Sequence, residues 1–315
     1  METLSPNRVL HDYVAEQSLR AVTGPARYWA ERLRALPGVV AVLFYGSGLR
    51  DRGGDPDGVL DFYLLVERHS AFTRSRLLAA VGTLLPPNVY FFQESTPNGS
   101  LRCKAAVMTL EQFRHAAEGR SFTPHIWARF SQPCRILFVR DHEIRERVVG
   151  ALASSLLTFH ARTLPLVRRC SVEEFWSRGL RETYASEIRM ESGDRGRTIF
   201  QHDPVDFSER SRLALSCLPG DGTIDARGRI CSRVPVSRRR RDASWRRGKL
   251  LLRRAVVVAR LGKATFTFQG AMDYARWKVE RHTGLRLPAS DFERQHPVIG
   301  GLLLYVRSFL NGAFR

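Results

Sequence analysis

The sequence predicts a mixed α/β fold, on three observations. Two apolar runs, Val39 to Tyr45 and Val59 to Val66, have the length and the β-branched and aromatic content of buried strands. A second pair of runs, Asn88 to Glu94 and Arg102 to Met108, flanks Asn98-Gly99, a dipeptide that takes positive φ readily and closes hairpins. Segments with helical spacing alternate with these strands, the order expected of helices packed on a sheet.

Taken in order, Pro25 to Leu36 has helical spacing with Tyr28, Leu33 and Leu36 turned inward, and Pro37-Gly38 ends it. The strand Val39 to Tyr45 runs into Gly46-Ser47-Gly48. Arg50 to Gly58, rich in Asp, Gly and Arg, reads as an exposed loop before the strand Val59 to Glu67. Arg74 to Leu85 reads as a helix, and the hairpin follows. Thr109-Leu110-Glu111-Gln112 has the pattern of a capping box, in which the Thr and Gln side chains satisfy each other's backbone N–H, so a helix opens there. Phe122 to Gln132 is a further helical segment, Cys134 to Val139 a strand, and Glu143 to Val167 largely helical. Ser171 with Glu174 starts another helix with room to run to Arg189.

Composition changes after about residue 200. Gly220 to Gly228 is turn-like, and Arg233 to Arg254 is crowded with arginine, including Arg238, Arg239, Arg240, Arg241, Arg246 and Arg247. Lys249 to Leu261 and Phe266 to Arg281 mix apolar and basic faces, and Val298 to Leu310 is apolar but for Arg307. The expected division is residues 1–145, a sheet domain; 146–232, a mainly helical second domain; and 233–315, a basic amphipathic region. A chain of 315 residues with 43% hydrophobic content can bury one large core or two modest ones.

The balance of 50 Lys and Arg against 31 Asp and Glu, a net charge of +19, calls for an anionic partner: polyphosphate, nucleic acid or an acidic membrane surface. The arginine tract, flanked by Leu250 to Leu252 and Val256 to Val258, suits an anionic lipid surface; it reads equally as a charged linker. Nucleic acid is the weaker partner, because aromatics are not regularly interleaved with the arginines. Cys103, Cys134, Cys170, Cys217 and Cys231 are odd in number and scattered, which fits core or surface thiols rather than zinc ligands or disulfides. Met1 to Gln17 carries Glu2, Asp12 and Glu16 and no long apolar stretch, so neither a secretory signal nor a transit peptide is expected, and no run is long enough to span a bilayer.

The chemistry is concentrated at Gly46-Ser47-Gly48 and Asp61. Glycines after a strand let backbone N–H groups approach phosphate oxygens, and Ser47 adds a hydroxyl. A carboxylate on the next strand is placed to hold Mg²⁺ against a triphosphate. An uncompensated buried carboxylate is costly, so Asp61 wants a metal or a cation beside it.

FYGSG, VLDFYLLVE, the pair VYFFQ and CKAAVMTLEQF, and HIWARFSQPCRIL together resemble, in order and spacing, the mitochondrial-type phosphatidate cytidylyltransferases of the translocator-assembly-and-maintenance family. That resemblance implies a polymerase-β-like nucleotidyltransferase fold. It also implies a reaction joining CTP to phosphatidate, with Mg²⁺, at an anionic membrane surface. Gly46, Ser47, Gly48, Asp61, Lys104, Arg129 and Pro133 match the family's motif positions. Tyr184 to Met190 is similar to a later motif of the family, Tyr-x-Gly-Asp-x-Arg-Met: Arg189 is kept, and Ser186 and Glu187 replace Gly and Asp. The resemblance covers roughly residues 35 to 210. By it, Gly46 to Gly48 bind the nucleotide, Asp61 holds the metal, Lys104 and Arg129 neutralise phosphates, and Glu187 with Arg189 closes the site. A bacterial-type chain peripheral on the inner face of the membrane is the implied setting. The wider superfamily carries a second carboxylate two residues after the first, where this chain has Tyr63; Asp57, Glu94 and Glu187 are the candidates to replace it. A soluble or RNA acceptor, and an inactive binding relative, are the alternative readings.

Overall fold

The computed structural model describes residues 5–50, 58–96, 99–184 and 195–243, with the single residues 248, 256, 259 and 263. The expected loop from Arg50 to Gly58, most of the arginine tract beyond 243, the two amphipathic segments and Val298 to Leu310 therefore lie wholly or mainly outside the described residues, as do Glu187 and Arg189.

The centre is a five-stranded mixed sheet made of β1 (Val39–Tyr45), β2 (Val59–Val66), β3 (Asn88–Thr96), β4 (Gly99–Thr109) and β5 (Arg135–Val139), in the order β3-β4-β2-β1-β5. β2 and β4 run parallel, and the other neighbours are antiparallel. The hairpin pairs Thr96 with Gly99, so both strands reach further toward the turn than the apolar pattern alone indicates. Side chains alternate between the two faces, and each face is buried against a different set of helices.

On one face sits α2 (Pro25–Arg34), which opens with Pro25 in its first turn and buries Ala26, Trp29, Ala30 and Leu33, one stripe at helical spacing. The expected inward residues Tyr28, Leu33 and Leu36 all pack on this core, but the set lacked its largest member. Leu33 is buried, but Trp29 is the large core residue, while Tyr28 lies half-buried with its hydroxyl donating to Glu94. A tyrosine keeps its polar tip at the edge of a core where a tryptophan of greater apolar area goes in.

The other face carries most of the helices. α1 (Arg8–Ser18), which periodicity did not single out, is capped by Asn7. The connection from β2 to β3 holds α4 (His69–Phe72) and α5 (Arg76–Leu84), and a four-residue turn, α3 (Ser47–Arg50), follows β1; Leu49 of α3 and Phe72 of α4 pack on the α2 side. α6 (Leu110–Ala117) begins with the expected capping box of Thr109 and Gln112. Gln112 does more than cap: its amide nitrogen donates to the carbonyls of Gly82 and Thr83, joining α6 to the end of α5. α7 (His125–Phe130) is shorter than the Phe122 to Gln132 segment expected, and Phe122 is exposed.

α8 (His142–Thr163) is capped by Asp141 and buried nearly all round from Val148 to His160. The boundary expected at 145/146 falls inside it. α9 (Val172–Tyr184) starts with the reciprocal Ser171 and Glu174 bonds read from sequence. α10 (Arg195–Gln201) and α11 (Pro204–Ser216), the latter capped by Asp203, complete the helical half. One apolar core joins Leu43, Tyr63 and Met108 of the sheet to Leu152, Phe159, Trp176 and Phe207 of these helices.

The turn-like stretch after 220 holds β7 (Gly222–Ile224) and β8 (Ile230–Ser232), which with β6 (Arg169–Cys170) make a small second sheet in the order β6-β8-β7. Residues 236–243 are helical. Two arginines of the basic tract are structural here. Arg238 lies 2.7 Å from Asp221, and Arg239 donates to the carbonyls of Pro165, Val167 and Val234 and to Ser232. The Lys263 ammonium is bound by the Leu85 and Pro87 carbonyls and the Asn88 side chain, at the junction of α5 and β3.

The buried core contains a titratable group held neutral. His160 is fully buried between the Leu156 carbonyl at 2.9 Å and Ser211 Oγ at 3.2 Å, and burial lowers its pKa to about 4. An unfolded histidine takes up a proton below about pH 6.5 while the folded one does not, so acidification favours unfolding in that window. Stability is therefore expected to fall between pH 6.5 and 4 by up to about 1.4 kcal/mol per pH unit from this residue. Urea unfolding of wild type and His160→Gln at pH 7 and pH 5 checks it: the variant should lose less stability between the two pH values than the wild type does.

Candidate functional site

The register of the sheet builds the site. Tyr45 pairs with Asp61, Asp61 with Lys104, and Lys104 with Phe91, so these residues form one row across β1, β2, β4 and β3 on the face packed against α6, α7 and α8. The next row inward is Leu43, Tyr63, Ala106 and Val89, which is apolar apart from the Tyr63 hydroxyl. The polar row lies toward the end of the strands, where a charged pair keeps contact with water. Asp61 and Lys104 are 26% and 23% exposed, and Lys104 Nζ lies 3.1 Å from Asp61 Oδ1. The cation that a strand-borne carboxylate needs is thus supplied by the neighbouring parallel strand.

The glycine turn closes over this pair. Gly46 has φ of +90°, a conformation that side-chain-bearing residues rarely adopt, and a Cβ built there would lie 3.2 Å from Asp61 Oδ2. Gly48 is constrained differently: a Cβ there would meet Leu60 Cδ2 at 2.7 Å, so glycine lets the turn sit down on the sheet. Ser47 is exposed as the first residue of α3.

Arg129 arrives from the last turn of α7. Its Nη1 donates to the Tyr63 hydroxyl at 3.3 Å, and its guanidinium lies 5.3 Å from the centre of the Tyr45 ring. Tyr45, Tyr63 and Phe130 pack edge to face or tilted, with centroids 5.1 to 5.5 Å apart, beneath the charged groups. Two residues after Asp61, the Tyr63 ring is buried and its hydroxyl accepts from Arg129. Sequence reasoning placed Asp61, Lys104 and Arg129 as separate candidates and missed Tyr45. Tyr63 shares the strand parity of Asp61 and could be read from sequence, whereas the place of Tyr45 beside Asp61 follows from the β1–β2 register, which no local pattern shows.

Among the candidates for a further metal ligand, Glu94 is on the wrong side. Phe91 shares the row of Lys104, and three residues on the strand carry Glu94 to the opposite face, where Tyr28 and Arg32 of α2 hold it, Arg32 at 3.1 Å. Asp57 and Glu187 lie outside the described residues. Among the described residues no cluster of three His, Cys, Asp or Glu side chains is placed to hold a metal ion. Asp61 by itself could hold Mg²⁺, which commonly takes one or two protein carboxylates and fills its remaining positions with water and substrate phosphate. Asp61 Oδ2, facing the space a Gly46 side chain would occupy, is the oxygen in place to serve.

Cys103 and Cys134 are buried and free, and burial raises both pKa values, Cys134 to about 11. Among the described residues no helix is long and apolar enough to cross a membrane.

Gly46→Ala is expected to cost about 1–2 kcal/mol, because it forces positive φ on a residue with a Cβ and crowds Asp61. Gly150→Ala, in α8 with open space around it, should instead gain about 0.5–1 kcal/mol from helix propensity. Urea midpoints of the two variants should therefore move in opposite directions.

Compared with models of protein families and with curated proteins, the chain matches no family model and no curated relative.

Proposed function

We propose that the chain is a polymerase-β-like nucleotidyltransferase that joins CTP to phosphatidate at an anionic membrane surface, releasing pyrophosphate and CDP-diacylglycerol. The observation that carries this reading is the Asp61–Lys104 pair packed directly beneath the positive-φ Gly46 turn, with Arg129 alongside. The choice of CTP and of a lipid acceptor rests on the resemblance of the motif blocks, and the basic C-terminal region with its apolar runs fits an acceptor held in a membrane.

In this reading an oxygen of the lipid phosphate forms a bond to the α-phosphorus of CTP as the bond to the bridging oxygen breaks and pyrophosphate leaves. The attacking oxygen is already ionised, so no general base is required, and rate comes from positioning and from neutralising charge. The backbone of Gly46 to Gly48 and the Ser47 hydroxyl receive the triphosphate. Asp61 would hold Mg²⁺, which supplies Lewis-acid stabilisation of the phosphates when bound. Lys104, paired with Asp61 Oδ1, turns to a phosphate oxygen when the nucleotide binds, leaving Asp61 Oδ1 available. Tyr63 and Tyr45 keep Arg129 directed at the same anion. Glu187 and Arg189 are proposed to complete the site.

A specific observation favours a second reading, an inactive relative that binds membrane or nucleic acid: among the described residues no cluster of three metal-binding side chains occurs, and Asp61 is already paired with Lys104. Label transfer from radiolabelled CTP with Mg²⁺ and phosphatidate in anionic liposomes separates the two. Lipid-dependent transfer is expected, reduced at least 100-fold in Asp61→Ala and at least 10-fold in Lys104→Met. Transfer to RNA in place of lipid would support a soluble acceptor, and liposome or RNA binding without turnover the inactive relative.

A further inference from the structure

On the face of the sheet opposite Asp61, behind the glycine turn, lies a pocket of about 180 Å³. The sheet contributes Phe44, Leu60 and Arg135, the connection between α1 and α2 contributes Val22 and Thr23, and the turn contributes Gly48 and Leu49. Phe44 and Arg135 are register partners on β1 and β5, which puts the guanidinium on the same face as the apolar residues. Its walls are thus mostly aliphatic or aromatic, with one cation and one hydroxyl among them. A space of this order takes a compact group about the size of benzene.

Arg135 is poorly served by the protein itself. Its side chain is half-buried, and among the described residues it makes one hydrogen bond, to the adjacent Cys134 carbonyl at 3.0 Å, and no ion pair with a carboxylate. Burial, with Arg20 and Arg210 nearby, holds the guanidinium below the ordinary arginine range. A partly desolvated cation with most of its donors unused favours an anion beside it. The start of α2 adds to this at the rim: Gly24 holds the cap position without a side-chain bond, and Pro25 and Ala26 line the pocket.

We propose that this pocket binds a small anion with a compact apolar body, its carboxylate or phosphate oxygens on Arg135 and Thr23 and its body against Phe44, Leu60, Val22 and Leu49. The site lies on the opposite face of the sheet from Asp61 and Lys104 and meets the nucleotide turn at Gly48.

Binding is read directly, without CTP. Benzoate, phenyl phosphate and the neutral benzyl alcohol are titrated into the full chain by calorimetry and ligand-observed NMR. At least one anion should bind ten-fold or more tighter than the alcohol, benzoate identifying a carboxylate site and phenyl phosphate a phosphate site. Arg135→Met should abolish that preference, Leu49→Trp should fill the pocket and remove binding of all three, and Lys104→Met should change nothing. Equal binding of anion and alcohol, a preference that survives Arg135→Met, or binding that survives Leu49→Trp would overturn the proposal. Loss of binding in Lys104→Met would also overturn it, by placing the anion at the nucleotide turn. Should Arg135→Met fail to fold, the Leu49→Trp and Lys104→Met results decide.

Discussion

The pairing of β2 with β4 is the constraint from which the site follows. These two strands are parallel and buried on both faces, so each side chain must go to one apolar core or the other, and a shift of a single residue would exchange them. In the observed register Leu60, Phe62 and Leu64 belong to the α2 side, and Tyr63 and Leu65 to the side of α6 to α8. Asp61 and Lys104 share the latter face at its end, where they neutralise one another and still reach water. A slip would bury Lys104 against α2 without its partner. The apolar residues thus fix the position of the charged ones.

Much of this was legible in the chain because the strands are short, apolar and bounded by glycine or proline, and because the capping patterns at Thr109 and Ser171 are local chemistry. β1 and β2 have the limits the apolar runs indicated, and α6 begins at the expected residue. What could not be read is whatever depends on pairing between distant segments. The order β3-β4-β2-β1-β5, the choice of Trp29 over Tyr28 for the core, and the Arg129 bond to Tyr63 are tertiary facts without a local pattern. α11 escaped notice because its buried side includes Asp206, Arg210 and Ser211, polar residues satisfied by one another and by Tyr13, His160 and Trp176. A polarity pattern sees such a face as exposed. At the site, Gly46, Asp61 and Lys104 are brought together from three strands or their ends, and only their spacing along each strand was visible beforehand.

The excess of positive charge is distributed by purpose rather than spread evenly. Arg239 binds the backbone carbonyls of Pro165, Val167 and Val234, and Arg238 binds Asp221. These contacts fasten the beginning of the arginine tract to the small sheet. Arg210, almost fully buried, is balanced by Asp206 at 2.6 Å, and Tyr13 is held on the same carboxylate. Composition alone treats all 50 basic residues alike, whereas Arg238 and Arg239 tie segments of the fold together and Arg210 is buried within it.

α8 bears on how such a protein can change over generations. A helix enclosed on nearly every side gives the sheet and the later helices a shared interior, so neither portion is a module that recombination could lift out and graft elsewhere. Separating them would leave Leu152, Leu156 and Phe159 facing solvent on one fragment and a bare apolar sheet on the other. New chemistry in this lineage must therefore arise by substitution within the joint frame, or by additions at its periphery.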